Sequence, residues 1–330
     1  MAKHVRLPVV PDDVEFHTDT MANAQGLKLQ TYHLYKKASS PLGIVWLCHG
    51  YASHFQFDWF LPLGPGKPHE IFEGGAVAGL VDAGYVVGSV DYQSHGRSEG
   101  IRGLRGYFEK FDDLPNDTLA CVDKLRQDHR FASLPVFAFG VSMGGAVAVR
   151  MSQMCPDLFR GVVLYSPMLC LESIRKQKIV CCIKNGHLAC LVPCLNACCP
   201  EMPLAKGAKT NLFPFHEKEF DEDPLTHKGD IRVRTGIGNV EICKWFMSGG
   251  LKKMSTPFVT FHAAKDNYVD PAGSERLMKD ASCADKEYVR VGAGLDLDIN
   301  MWHSLNAEPG REIVFERALT WIKMRSDAPF

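Results

Sequence analysis

The sequence predicts an α/β architecture: a mostly parallel central sheet covered by helices on both faces and interrupted by one helical insertion. Three observations carry this. Short, nearly all-apolar β-rich runs recur along the chain and end abruptly at Gly, Asp, Ser or His, as strands buried on both faces do. Helical spacing follows most of them, so the repeating unit is strand–helix. From about Leu169 to Met254 that rhythm stops, and a stretch of this length inside a compact domain should carry helices of its own.

The elements read in order as follows. Residues 14–17 and 27–35 suit an antiparallel hairpin at the sheet edge. The run Gly43–Cys48 leads into His49-Gly50, Tyr85–Val90 into Asp91, and 135–139 into Gly140-Val141-Ser142. Residues 161–165 then run into Ser166-Pro167, 257–261 into His262, and 287–291 forms the last strand. Among the helices, 71–83 carries Ile71, Val77, Leu80 and Val81, and Asp117 is the expected cap of a stripe made by Leu119, Val122 and Leu125. Residues 146–153 form a helix, and 311–324 places Ile313, Val314, Ala318, Trp321 and Ile322 on one face. Residues 1–168 and 255–330 are therefore assigned to the core and 169–254 to an inserted lid, over the sheet edge where ligands bind in open α/β folds.

With 46% hydrophobic and 23% charged residues among 330, the composition is that of a globular chain. A net charge of −1 provides no field to attract nucleic acid, which is excluded as a partner. The opening residues lack an apolar run that would serve as a signal peptide, and no stretch of ~18 apolar residues could span a membrane. The expected location is cytoplasmic, with peripheral membrane association allowed. The sequon at Asn116 is then incidental, and the 12 cysteines are expected as free thiols.

Chemistry enters at Gly140-Val141-Ser142-Met143-Gly144. Strand, Gly-X-Ser-X-Gly and helix in succession make a tight turn that holds a serine in strained backbone angles and exposes its hydroxyl. Serine needs a base, and the base needs an acid to hold its tautomer. An acid after a late strand is supplied by Asp266, with Asp270 the spare. A histidine after the last strand is supplied by His303, which is preferred to His262 and His227. The oxyanion of the reaction would meet the backbone N–H of Met143, next to the nucleophile, and that of Tyr51, after the glycine of His49-Gly50. Nothing here calls for a metal or an organic cofactor.

Four motifs, LCHGY at 47–51, DYQSHGRSEG at 91–100, GVSMGG at 140–145 and MWHSL at 301–305, resemble the monoacylglycerol lipase / lysophospholipase family of the α/β-hydrolase superfamily. The resemblance runs from about Leu27 to the final helix, excluding most of the lid. It implies an α/β-hydrolase fold and a serine esterase acting on single-chain acyl esters of glycerol. It carries over Ser142, Asp266 and His303 as triad, with Tyr51 and Met143 as oxyanion donors, and makes His95, Gly96, Arg97 and Ser98 a structural loop. Three departures stand out. Ser53 occupies a place that is acidic in many members, residues 292–300 make a longer loop before His303, and the lid does not align.

The expected reaction is hydrolysis of monoacylglycerols or related lysolipids to fatty acid and alcohol through an acyl-enzyme. Small or aromatic esters and peptides are the enzymatic alternatives, and a non-catalytic binding protein on this scaffold is the alternative of another class. The lid segments 179–183 and 187–199 are apolar and lack acids. Cys190, Cys194 and Cys198 recur at helical spacing and are expected to pack as small hydrophobes. Docking of this face on a membrane or lipid droplet, with S-palmitoylation, is the second reading. Zinc is the weakest, because Cys-X₃-Cys lacks a second cysteine pair.

Overall fold

The computed structural model describes residues 6–37, 40–172, 178–180, 183–184, 192–205 and 212–326. Eight strands form the central sheet: β1 (Val14–Ala22), β2 (Lys28–Lys36), β3 (Gly43–Cys48), β4 (Tyr85–Val90), β5 (Val136–Val141), β6 (Phe159–Tyr165), β7 (Phe258–Ala263) and β8 (Lys286–Val291). Their spatial order is β1-β2-β4-β3-β5-β6-β7-β8. The hairpin β1–β2 is antiparallel, as is the β2–β4 pairing, and every pairing from β4 to β8 is parallel.

Strands β3, β4, β5 and β7 are buried at every position, as their continuous apolar sequences require. Along β3, Ile44, Trp46 and Cys48 join one core cluster while Val45 and Leu47 join the other, so alternate side chains feed the two sides. Helices α3 (Asp113–Arg126) and α4 (Met143–Met154) cover the first side, and α2 (Ala76–Asp82) and α9 (Arg311–Ser326) the second. Among the described residues the remaining α-helices are α1 (Phe55–Trp59), α5 (Val192–Cys198), α6 (Pro214–Glu222), α7 (Val233–Met247) and α8 (Ala272–Asp280). Among the described residues no helix is long and apolar enough to cross a membrane.

Three details of the expected helices change. Asp117 is not a cap: α3 begins at Asp113, and the Asp117 carboxylate is buried, accepting from Asn23 Nδ2 at 2.9 Å and Gln93 Nε2 at 3.0 Å. Helix α2 starts at Ala76, because Gly74 has φ +73° and Ile71 is already paired with Leu61 in a short ribbon. Ile313 faces solvent at 52% exposure, while Val314, Ala318, Trp321 and Ile322 are buried.

Between β6 and β7 lie α5, α6, α7 and a two-strand ribbon, Pro203–Ala205 against Ile231–Arg232. The ends of this insertion are continuous with the core, since Leu169, Cys170, Phe246, Leu251 and Met254 pack in the same apolar cluster as β3 and α4. Cys194 and Cys198 are exposed on α5 rather than packed, contrary to the sequence expectation, and Cys190 lies outside the described residues.

Candidate active site

Because β3 through β8 run parallel, their C-terminal ends form one edge, and every expected site residue lies just beyond it. Ser142 follows β5 directly with φ 53° and ψ −119°, a conformation closed to most L-residues and stable only where neighbours enforce it. Its N–H donates to the Tyr165 carbonyl at 2.9 Å, and its own carbonyl accepts the N–H of Met168 at 2.8 Å. The turn tolerates no side chain beside it: a Cβ on Gly140 would lie 2.3 Å from the Gly144 carbonyl oxygen, and one on Gly144 2.1 Å from that of Cys48. Met143 opens α4, so its N–H lies among the first-turn donors that have no partner within the helix.

Asp266 and His303 meet directly, with His303 Nδ1 2.6 Å from Asp266 Oδ2. The second oxygen of Asp266 accepts the N–H groups of Tyr268 at 2.8 Å and Val269 at 2.9 Å. Burial alone would raise this carboxyl, but His303 and the hydrogen bonds of His262 and His303 hold it well below the usual range. Burial likewise disfavours the imidazolium of His303, yet the facing Asp266 outweighs it and the net displacement is upward from 6.5. Asp270, the spare candidate, accepts the Ala272 N–H at 3.1 Å at the start of α8 and is not paired with His303.

His262, set aside in the sequence, packs beneath Asp266 with Nε2 3.3 Å from Oδ2, while its Nδ1 lies 2.7 Å from Ser274 Oγ. His227 belongs to the insertion, where its N–H donates to the Ala52 carbonyl at 2.7 Å.

Sequence reasoning missed Glu308. Buried before α9, its carboxylate accepts three successive backbone N–H groups, from Trp302 at 2.6 Å, His303 at 2.9 Å and Ser304 at 2.7 Å. It therefore fixes the backbone that presents the imidazole. Its signal was an acid shortly after the histidine and before the last helix, which reads in sequence as an ordinary helix-start residue. The preceding loop folds on itself, with Gly292 N–H bonded to the Leu297 carbonyl at 2.9 Å and Arg290 paired with Asp296 at 3.1 Å. Trp302 Nε1 donates to Asn267 Oδ1 at 2.7 Å, tying the His303 loop to the Asp266 loop.

The turn after β3 carries Tyr51. Gly50 N–H donates to Asp58 Oδ2 at 2.7 Å, and the Gly50 carbonyl lies 2.8 Å from His49 Nδ1. Behind it, the loop from Asp91 is structural: Asp91 accepts from Tyr32 Oη and Arg97 N–H, both at 2.8 Å, and from Phe55 N–H at 2.9 Å. Among the described residues no group of three or more His, Cys, Asp or Glu is placed to hold a metal ion.

A strained serine between a central strand and its helix, with a buried Asp–His pair on the same sheet edge, defines an α/β-hydrolase of the ester-cleaving kind. The family described as "Serine aminopeptidase, S33" matches residues 70–309, most of the chain, which belongs to it. Monoacylglycerol lipase of Mycolicibacterium smegmatis is 24% identical over 309 residues, 92% of this chain and 95% of that protein. Caffeoylshikimate esterase of Arabidopsis thaliana is 29% identical over 243 residues, 72% of this chain and 69% of that protein. A soluble variant of monoglyceride lipase from Saccharomyces cerevisiae, solved with a substrate analog, superposes with a TM-score of 0.74 at 17% identity, covering 99% of this chain and 100% of that one. This last likeness concerns the fold.

Proposed function

We propose that the protein hydrolyses monoacylglycerols or related lysolipids in two acyl-transfer steps. Ser142 Oγ attacks the ester carbonyl while His303 takes its proton. The imidazolium then gives that proton to the departing alcohol, leaving an acyl-enzyme. Water, deprotonated by His303, releases the fatty acid and returns Ser142. Asp266 stays ionised throughout, holding the imidazole tautomer and stabilising its charged form. The N–H groups of Tyr51 and Met143 receive the oxyanion of each tetrahedral intermediate.

The observation that carries this reading is the 2.6 Å Asp266–His303 contact on the sheet edge that bears the strained Ser142. The lipid substrate is supported by the lipase among the relatives, which matches nearly the whole chain. A second reading, an ester of an aromatic acid, is supported by the caffeoylshikimate esterase, the more identical of the two relatives over its shorter span. The insertion is read as a lid over the site that meets lipid surfaces through apolar residues such as the exposed Met202 and Leu204.

Labelling by a fluorophosphonate probe, wild type beside Ser142→Ala, followed by turnover of monoacylglycerol and of caffeoyl esters, tests all of this. Label and monoacylglycerol turnover that vanish together in the variant are expected. Label with caffeoyl-ester turnover alone would replace the lipid with the aromatic substrate. A wild type that takes no label would overturn the hydrolase reading.

A further inference from the structure

Asp58, on the short helix α1, is a half-buried carboxylate at the site to which the triad gives no work. Its two oxygens grip the same turn: Oδ2 accepts Gly50 N–H at 2.7 Å, and Oδ1 accepts the Ser53 hydroxyl at 2.6 Å. Its backbone carbonyl accepts Asn306 Nδ2 at 2.6 Å, so the same residue also reaches the loop of His303. Gly50 lies between it and the nucleophile, since a Cβ built there would stand 3.6 Å from both Asp58 Oδ2 and Ser142 Cβ.

The other face of Gly50 is fixed as well. His49 Nε2 accepts the Tyr92 N–H at 3.0 Å, so the ring proton sits on Nδ1 and is donated to the Gly50 carbonyl at 2.8 Å. Burial pushes His49 down to about 3, which keeps this tautomer neutral and in place at working pH. A trans peptide points its C=O and N–H in opposite directions. With the Gly50 carbonyl turned to His49, the Tyr51 N–H must point away from it. The next residue, Ala52, has φ +63°, a strained conformation for alanine that persists only if its surroundings hold it.

We propose that Asp58, acting with Ser53, is a positioning residue that braces the turn 50–53 and keeps the Tyr51 N–H aimed at the oxyanion. The proposal rests on the reading of Tyr51 as an oxyanion donor. Asp58 also adds negative charge near His303, whose surroundings comprise Asp266, Glu308 and Asp58 as acids, Tyr268 with its ring tilted at 5.0 Å, and His262 behind Asp266. Burial raises the Asp58 carboxyl, and its bonds to Ser53 and Gly50 oppose that.

The test compares Asp58→Ala, Asp58→Asn and Ser53→Ala in steady-state hydrolysis of a short p-nitrophenyl ester, with fluorophosphonate labelling and thermal melts alongside. Asparagine can offer its carbonyl to Gly50 and its amide to the Ser53 oxygen, so it preserves the brace without the charge. Asp58→Ala should lower kcat by roughly 10²-fold, as loss of an oxyanion donor does, with KM within about twofold. Asp58→Asn should recover most of that kcat while moving the acid limb of the pH–rate profile down. Ser53→Ala should fall between them. Wild-type kcat in Asp58→Ala would overturn the brace, as would equal losses in the alanine and asparagine variants. If Asp58→Ala does not fold, Ser53→Ala and Asp58→Asn decide: unchanged kcat in the former or a loss of about 10²-fold in the latter overturns the proposal. Labelling of the wild type at Ser142 separates failure of this inference from failure of the hydrolase reading.

Discussion

Asp266 differs from Asp270 in what its oxygens meet, and that difference sets the first prediction. One oxygen takes two backbone N–H groups and the other faces His303. Asp266→Asn leaves the loop bonded but presents an uncharged partner to the imidazole, and kcat should fall by about 10⁴-fold with KM little changed, read by steady-state kinetics. The pH profile follows with a definite sign. In the proposed reaction His303 must be neutral to accept the serine proton, and Asp266 raises its proton affinity, so the acid limb of kcat/KM should lie above pH 6.5. A limb below that value would contradict the pairing. Glu308→Ala strips a buried acceptor from three N–H groups and should cost about 3 kcal/mol in denaturant unfolding. At this scale the strained turn at Ser142 and the Asp266–His303 contact were legible because chain order and flanking strands single them out. Glu308, His262 and Asp58 were not, because their partners are backbone groups and residues that only the folded chain brings near.

The strands were legible for a physical reason: burial on both faces forces an unbroken apolar run, and β3, β4 and β5 have one. Helix starts were less so, because Asp117 looks like a cap yet spends its carboxylate on Asn23 and Gln93. The insertion was opaque, since non-local pairs fasten it to the core. In α6, Glu219 is buried with His69 Nε2 at 3.3 Å and His216 Nδ1 at 3.5 Å, and the adjacent Asp223 lies 3.2 Å from His54 Nε2. Burial would raise Glu219, but the bonds from His216 and His69 bring it down to about 2. Since its folded value lies below the ordinary 4.5, the pairing stabilises the fold above that pH and is lost as pH falls toward about 2. Glu219→Ala should therefore destabilise by about 3 kcal/mol at pH 7. Its deficit in thermal melts should narrow below pH 4.5; a constant deficit would mean that the pairs do not hold α6.

For the whole molecule, the sheet solves a problem of distance: parallel β5, β7 and β8 end on one edge, so residues remote in sequence leave the sheet on the same side. The strand order, with β4 between β2 and β3, could not be read from sequence, because pairing between buried apolar strands is specified by packing rather than pattern. The insertion adds a surface whose proposed lipid contact can be argued from charge. A net charge of −1 gives the chain no Coulombic reason to approach a lipid surface, anionic or neutral. Attraction must then come from apolar area, and Met202 and Leu204 expose it around the ribbon Pro203–Ala205. Such binding should be insensitive to salt, because screening acts on charges and not on buried hydrocarbon. The expected result is flotation with neutral-lipid vesicles that persists at about 0.5 M salt. It should weaken severalfold in the double variant Met202→Ser, Leu204→Ser, while turnover of a water-soluble short ester stays the same. Equal flotation of variant and wild type would remove these residues from the contact, and flotation abolished by salt would make the attraction electrostatic.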